Sequence, residues 1–142
     1  MTKMIVGWKE KAQLKQLGLN SIKVKVDTGA KTSSIHAFDI KTIEKDGVSW
    51  VKFKTTPLRR HPKRVFECEA EIVDYRKITS SNGQTQSRYV IRSPITIGSE
   101  TWEIDITLAN REKMRYKMLL GREAMENILV SPHEAYMQSP KD

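Results

Sequence analysis

The sequence predicts an all-β domain of short strands with one short helix near its C-terminus. Apolar and polar residues alternate with a period of two in several runs, which is the spacing of a strand with one buried face. Turn residues separate these runs, and the strongest hairpin signal is Ser81-Asn82-Gly83. The chain has 142 residues, which is the size of one ordinary domain.

The alternating runs define the strands in chain order. The longest alternates strictly between apolar residues and the acids Glu67, Glu69 and Glu71, so its two faces differ completely in polarity. Pro94 confines another run to an edge, an end or a bulge, because proline donates no ladder hydrogen bond. The predicted strands are residues 22–26, 35–43, 48–53, 65–73, 89–97 and 101–108.

Two segments do not follow the strand pattern. Residues 10–18 fit either a helical turn or a strand, and periodicity does not decide between them. Residues 122–129 are good helix formers that follow Gly121, so they carry the predicted short helix. The domain is expected to cover residues 1–137, with a frayed tail over residues 138–142.

Amino-acid composition limits the expected cellular location of the protein and the kinds of partner that it can bind. Lys and Arg number 25 and Asp and Glu 17, so the net charge is +8. A basic balance attracts nucleic acid or acidic peptides, and it also occurs on a plain solvated surface. Cys68 is the only cysteine, so a reducing, cytoplasmic location is expected. No apolar run approaches the ~20 residues of a membrane span, and no membrane partner is expected.

Common metal and nucleotide motifs are absent from the sequence. The histidines His36, His61 and His133 are far apart, and Cys68 has no second cysteine beside it. Residues 29–32, Gly-Ala-Lys-Thr, lack both the glycine before lysine and the earlier glycine that a phosphate-binding loop needs. We expect neither a metal nor an organic cofactor, although the motifs leave open a metal site formed by residues that are distant in the sequence.

The segment that carries chemistry is Asp27-Thr28-Gly29-Ala30, at the end of the strand 22–26. A carboxylate that leaves a strand end points into a cleft, and the threonine hydroxyl can anchor the turn. Gly29 allows a close backbone approach, and its N–H can donate to the carboxylate. Taken alone, the triplet also fits an ordinary turn. A second segment, residues 116–122, is an apolar strand that stops at Gly121, and it is expected to pass beneath the loop.

With both segments present, the sequence resembles the retropepsin-like aspartic proteases. It is most similar to the prokaryotic family labelled "ATP-dependent zinc protease", although no zinc or ATP motif is visible here. The resemblance rests on residues 7–8, 25–37, 88–91, 102–104 and 118–122. It implies a closed single-domain β-barrel of the acid-protease type and a catalytic site of Asp27, Thr28 and Gly29. The residues it implies as support of the site are Leu119, Leu120, Gly121 and Arg122.

The same resemblance implies a homodimer, because this type of site needs two aspartates and the chain has one Asp-Thr-Gly. Its flap hairpin is expected near residues 48–72, with a tip at 55–64 that lacks the glycines of retroviral flaps. The segment 48–66 holds six cations and no acid, which more commonly indicates a solvated loop; the more specific hypothesis is an acidic, Glu-rich peptide substrate held over Asp27. The family's association with ATP-grasp glutamate ligases supports the acidic substrate and a functional link to such a ligase. The predicted substrate-binding residues are Ala30, Arg59, Arg60, Lys63 and Arg64.

Three functions remain open from the sequence. The first is a homodimeric aspartic endopeptidase, and the second is a catalytically quiet module that binds an acidic peptide or a partner ligase. The third is a basic barrel that binds nucleic acid, for which aromatic residues should be interleaved with exposed cations. Trp50 and Phe53 lie near lysines, but their alternation is typical of core residues, so nucleic acid is the least favoured partner.

Overall fold

The computed structural model describes residues 3–79 and 82–138, and strands dominate this part of the chain. Two short 3-10 turns, Lys15–Leu17 and Arg122–Ala124, interrupt them. The strands are β1 (Met4–Val6), β2 (Lys9–Leu14), β3 (Leu19–Val26), β4 (Ser33–His36), β5 (Phe38–Lys45), β6 (Val48–Thr55), β7 (Phe66–Thr79), β8 (Thr85–Ile97), β9 (Glu100–Ala109), β10 (Met118–Leu120) and β11 (Ile128–Val130). No helix among the described residues is long and apolar enough to cross a membrane.

Six of the strands close into a barrel. Their order is β2-β3-β10-β4-β9-β8, and β2 returns to β8 through the pair Gln13 and Thr96. The short strand β10 lies between β3, to which it is parallel, and β4, to which it is antiparallel. Fully buried side chains such as Ile91, Ile106 and Met118 belong to its core. The closed all-β barrel confirms the predicted fold class.

Three further strands extend the sheet outward from β8 in the order β7-β6-β5. β6 and β7 form a hairpin in which Thr55 lies opposite Phe66, as expected for the segment 48–72. The alternation that predicted β7 is confirmed, since Cys68 and Ala70 are buried while Glu67 and Glu71 are exposed. The strand also continues to Thr79, six residues beyond the predicted end.

The proline in β8 lies where the ladder tolerates it. β7 pairs with β8 as far as Ile72 opposite Ile91, and Pro94 lies beyond that point, where it faces Glu103 of β9. A ladder hydrogen bond on the β7 side is therefore not lost at this position. The hairpin turn between β7 and β8 contains Asn82 and Gly83, whereas Ser81 lies outside the described residues.

Two local predictions need correction or completion. The undecided segment 10–18 forms β2 up to Leu14 and then one 3-10 turn. A short helix does follow Gly121, but it is a single 3-10 turn, and the predicted helix over 122–129 is wrong. Residues Ile128–Val130 instead form β11, which pairs in parallel with β1. Pairing with the other end of the chain overrides the local helix propensity.

A buried carboxylate joins segments from the two ends of the described chain. Glu10 is fully buried, and its oxygens accept hydrogen bonds from the backbone N–H groups of Gly7 at 2.8 Å, Met137 at 2.8 Å and Gln138 at 3.1 Å. Several N–H donors compensate for the cost of burying the charge. Gln138 is thus hydrogen-bonded, and residues 139–142 of the expected tail lie outside the described residues.

Candidate active site

Asp27 begins the loop between β3 and β4. Its backbone N–H donates to the carbonyl of Leu120 at 2.9 Å, and its carbonyl accepts from Ala30 at 3.2 Å. The side chain folds back over the loop, because Oδ1 accepts the N–H of Gly29 at 2.9 Å. Asp27 is half-buried, whereas Thr28 and Gly29 are exposed. The loop therefore presents an oriented carboxylate at the protein surface.

Strand β10 supports this loop from one side. Leu120 lies beside Val26, and Leu119 lies between Lys25 and Ser34. The N–H of the following Gly121 donates to Oγ of Ser33 at 3.0 Å. The apolar segment therefore passes against the Asp27 loop, as its sequence predicts.

Gly121 is needed because the backbone of the loop lies directly against it. An added β-carbon would meet the carbonyl carbon of Thr32 at 2.5 Å and the carbonyl oxygen of Lys31 at 2.9 Å. Real β-carbons are essentially never closer than 3.0 Å to such atoms. The close approach expected at this glycine is thus made to the loop 27–32.

Arg122 holds the loop from the exposed side. Its backbone N–H donates to the carbonyl of Ala30 at 2.8 Å, and its Nη1 donates to the carbonyl of Thr28 at 3.0 Å. The next residue, Glu123, donates its N–H to the carbonyl of Lys31 at 3.0 Å. The structure thus brings together the residues expected to form the catalytic loop and its support.

The four cations predicted to bind substrate lie on the loop 56–65, between β6 and β7, and all four side chains are exposed. Arg59 lies over the ring of Tyr116 at 5.4 Å, and Arg64 lies over the ring of Phe66 at 5.0 Å. Among the described residues, no carboxylate forms an ion pair with any of the four. They also make no hydrogen bond to the Asp27 loop there, so the structure does not join these cations directly to Asp27.

A chain of contacts that sequence reasoning missed leads from Asp27 to the segment 110–117. Val26 donates its N–H to the carbonyl of Trp8 at 2.8 Å. The ring of Trp8 meets the ring of Tyr116 edge-on, with centroids 6.2 Å apart. Nε of Arg111 then donates to the carbonyl of Tyr116 at 3.1 Å. No spacing or motif marks Arg111, because only the fold brings it near the loop.

The segment 110–117 is held by its own lysine. Nζ of Lys117 donates to the carbonyls of Arg111 at 3.3 Å and Met114 at 3.4 Å, and also to the carbonyl of Glu112. The segment is further attached to β4, since the N–H of Arg111 donates to Nδ1 of His36 at 2.9 Å. His36 is buried, and this burial is the main reason why its pKa lies below its usual value.

The side chains that could hold a metal are dispersed in the described part of the chain. No group of three or more His, Cys, Asp and Glu side chains there could hold an ion. The lone thiol is buried, and burial raises the pKa of Cys68 to about 11.

A closed β-barrel that presents one Asp-Thr-Gly loop above an apolar strand and glycine has the architecture of the retropepsin-like aspartic proteases. Residues 5–141 match the model of the RimB-like family, described as "Retropepsin-like aspartic endopeptidase RimB". The chain belongs to that family, which confirms the resemblance noted in the sequence.

Similar proteins extend this finding. A "Probable alpha-L-glutamate ligase" of Shewanella pealeana is 46% identical over 140 residues, which are 98% of this chain and 31% of that protein. A protein of the same name from Desulfotalea psychrophila is 43% identical over 133 residues, which are 93% of this chain and 29% of that protein. The chain spans about a third of the length of these curated relatives.

One solved structure is also closely similar. Lpg0085, a protein of unknown function from Legionella pneumophila, has a TM-score of 0.82 and 32% sequence identity. The similarity covers 95% of this chain and 98% of that one.

Proposed function

We propose that the protein is an aspartic endopeptidase that acts as a homodimer, with Asp27 supplied by each subunit. The observation that carries the proposal is the exposed Asp27 loop, in which Gly29 orients a carboxylate that has no second Asp-Thr-Gly carboxylate beside it among the residues that the structure describes. Other aspartates serve elsewhere, since Asp39 pairs with Lys54 at 3.0 Å and Asp105 with Arg92 at 2.9 Å. A second copy of the chain is therefore the simplest source of the missing partner.

The chemistry follows from the two carboxylates. At a separation of about 3 Å they cannot both ionise, so they share one proton and titrate as a pair. The ionised member takes a proton from a water molecule, which attacks the peptide carbonyl. The protonated member donates to the carbonyl oxygen, and a proton later reaches the leaving nitrogen. Thr28 of each chain would brace the pair, and the reaction as proposed uses neither a metal nor an organic cofactor.

The Asp27→Asn variant tests the catalytic role. Asparagine keeps an oxygen that accepts the N–H of Gly29, so the loop should fold, while hydrolysis should fall at least about a hundredfold. Circular dichroism and thermal unfolding check the fold, and peptide hydrolysis is followed by mass spectrometry. Full activity in the variant would rule out Asp27 as a catalytic group.

A mixing experiment tests the shared site. When wild-type and Asp27→Asn chains exchange freely in equal amounts, the activity per wild-type chain should fall to about half, because mixed dimers hold one functional carboxylate. Sedimentation over a dilution series measures the dimer directly. An active wild-type monomer would contradict the proposal.

We further propose an acidic, Glu-rich peptide as the substrate, covered by the β6–β7 hairpin with its loop 56–65. Support comes from the cations of this loop, which form no ion pair with the described residues, and from relatives that carry a segment like this chain and are named as probable glutamate ligases. A functional link to such a ligase, in a reducing cytoplasm, belongs to the same proposal. Opposite charges raise the rate of encounter and help to fix the position of the peptide.

Charge reversal tests the substrate class. The double variant Arg59→Glu/Arg60→Glu should lower kcat/KM for a glutamate-rich peptide more than for its glutamine-rich counterpart. The matched control is Lys15→Glu/Lys77→Glu, which changes the net charge equally at exposed positions outside the loop. An equal loss on both peptides would remove the acidic-substrate hypothesis.

A catalytically quiet binding module is the second candidate. The specific observation in its favour is the loop 56–65, which contains no glycine, unlike the retroviral flap. A quiet module would bind the glutamate-rich peptide with equal affinity before and after Asp27→Asn, and neither protein would cleave it. Calorimetric binding measured together with hydrolysis separates the two candidates.

A further inference from the structure

Two arginines, Arg88 and Arg111, are half-buried, and within the described part of the chain neither forms an ion pair with a carboxylate. Nε of Arg88 donates only to the neutral side chain of Gln86, at 3.2 Å, among the residues that the structure describes. Nε of Arg111 donates to the carbonyl of Tyr116, and no described group accepts from its two terminal nitrogens. By contrast Arg76, which lies opposite Arg88, pairs with Asp74 at 3.1 Å.

The strand register brings these two arginines together. β8 and β9 are antiparallel, with Val90 opposite Thr107. Arg88 precedes Val90 by two residues, and Ala109, the last residue of β9, follows Thr107 by two, so both lie just beyond this end of the ladder, with Arg111 two residues later. A guanidinium is rarely buried without a pairing anion, so two of them side by side leave positive charge uncompensated.

The electrostatics agree with this geometry. Burial is the main factor that lowers the pKa of Arg111, the neighbouring Arg88 lowers it further, and the carboxylate of Asp27 raises it. Burial likewise lowers the pKa of Arg88. Arg111 therefore senses both the second arginine and the catalytic carboxylate.

Two aromatic residues, Trp8 and Tyr116, connect Arg111 with β3, the strand that precedes Asp27. Tyr116 is buried, and it contacts Trp8 on one side and Arg59 of the loop 56–65 on another. Trp8 in turn is hydrogen-bonded to Val26, next to Asp27. Trp8 and Tyr116 thus link the strand that precedes Asp27 to Arg111, whose Nε donates to the Tyr116 carbonyl.

We propose that Arg111 and Arg88 form a carboxylate-binding subsite beside Asp27, which takes the acidic side chain of a residue next to the scissile bond. This inference rests on the proposed function and deepens it, because it assigns specificity to two half-buried arginines rather than to the exposed loop. The planar guanidinium suits a carboxylate, and its two terminal nitrogens point to a two-bond contact. Bound substrate supplies the anion that the two arginines lack.

Paired peptides test the subsite. The substrates are two internally quenched peptides of one neutral sequence, with a central Glu-Glu in one and Gln-Gln in the other. The wild type should prefer the glutamyl peptide, and Arg111→Met should lower the ratio of kcat/KM values for the two peptides about tenfold, as expected for one charge-assisted contact. Arg88→Met should lower it in the same direction. Arg115→Met, an exposed arginine in the same segment, is the matched control and should keep the wild-type ratio.

A binding assay makes the inference independent of catalysis. In the Asp27→Asn background, affinities for the two peptides are measured by fluorescence anisotropy, and Arg111→Met should reduce the preference for the glutamyl peptide. Thermal unfolding shows whether Arg111→Met folds. If Arg111→Met does not fold, the peptide preference of Arg88→Met tests the subsite. Preferential binding of the glutamyl peptide, together with a failure of the wild-type protein to hydrolyse either peptide, would overturn the proposed peptidase while supporting the subsite. An equal affinity of the wild type for both peptides, or an equal loss on both in the folded variants, would overturn the subsite.

Discussion

Gly121 packs directly against the backbone of Thr32, so closely that an added β-carbon would lie 2.5 Å from the carbonyl carbon of Thr32. The contact joins the end of β10 to the last residue before β4, and it closes the loop that begins at Asp27. Neither backbone can move aside easily, because Gly121 also donates its N–H to Ser33. The position of the Asp27 carboxylate therefore depends on the absence of a side chain at residue 121.

Gly121→Ala should destabilise the protein by about 2 kcal/mol, since the new methyl group clashes with backbone atoms. Urea unfolding followed by circular dichroism measures the change. Gly29→Ala is the comparison, because its added β-carbon would meet a flexible side-chain atom, Oδ1 of Asp27, at 3.2 Å. Equal stability losses in the two variants would contradict this interpretation.

Lys117→Met should loosen the segment 110–117. The ammonium group donates to the carbonyls of Arg111, Glu112 and Met114, and hydrogen bonds to a charged group contribute more than neutral ones. Hydrogen–deuterium exchange of this segment should become at least about tenfold faster, because local opening becomes less costly. Lys113→Met removes an exposed lysine from the same segment and should leave exchange as in the wild type.

Stability should decline as the pH falls below the usual pKa of histidine, in part because of His36. Burial, with a further contribution from Lys117, lowers the pKa of His36 in the folded state below 6.5. The unfolded chain therefore takes up the proton first, so stability is lost from about pH 6.5 downward until the folded-state pKa is passed.

His36→Asn should reduce this decline, since the asparagine oxygen can still accept the N–H of Arg111 but does not titrate. The decline is measured as the difference between the free energies of unfolding at pH 7 and pH 5. His133→Asn alters an exposed histidine and should retain the wild-type decline. A His36→Asn profile as steep as that of the wild type would show that other groups cause the loss.

Cys68 should resist thiol reagents in the native state. With a pKa raised to about 11 by burial, it is ionised in only about one molecule in a thousand at pH 8, and the thiolate is the reactive form. Reaction with an aromatic disulfide, followed by absorbance, should be slow in buffer and fast in guanidinium chloride. Cys68→Ala/Ser49→Cys places the thiol at an exposed position of β6 and should react quickly in buffer. Rapid native reaction of Cys68 would contradict its burial.

The strands could be predicted from sequence where one face is buried and the other is solvated. Cys68 and Ala70 against Glu67 and Glu71 are the clearest case. The segment 122–129 could not be predicted in this way, because its strand depends on pairing with Met4–Val6 at the other end of the domain. Local propensity carries no information on a partner that is distant in the sequence.

The candidate site could also be predicted only where its residues belong to local sequence motifs. Asp27, Thr28, Gly29 and Gly121 lie in two local motifs, and the structure brings those motifs together. Arg111 belongs to no motif, and its nearness to Asp27 arises from the order of strands around the barrel. The exposed loop cations are visible in the sequence because they cluster over six residues, whereas the half-buried Arg88 and Arg111 can be recognised only in the fold.

The double role of β8 has a consequence for how a peptide enters. Residues 85–91 of this strand pair with β7, and residues 90–97 pair with β9 in the barrel, without an intervening joint. The outer sheet is therefore continuous with the barrel wall. Moving the outer sheet as a rigid unit would break the main-chain hydrogen bonds between β7 and β8. If the loop 56–65 covers the substrate as proposed, admission of a peptide should depend on displacement of this loop and not of the outer sheet. Residence times of bound peptides should accordingly respond to prolines introduced in that loop and remain insensitive to the rigidity of the strands behind it.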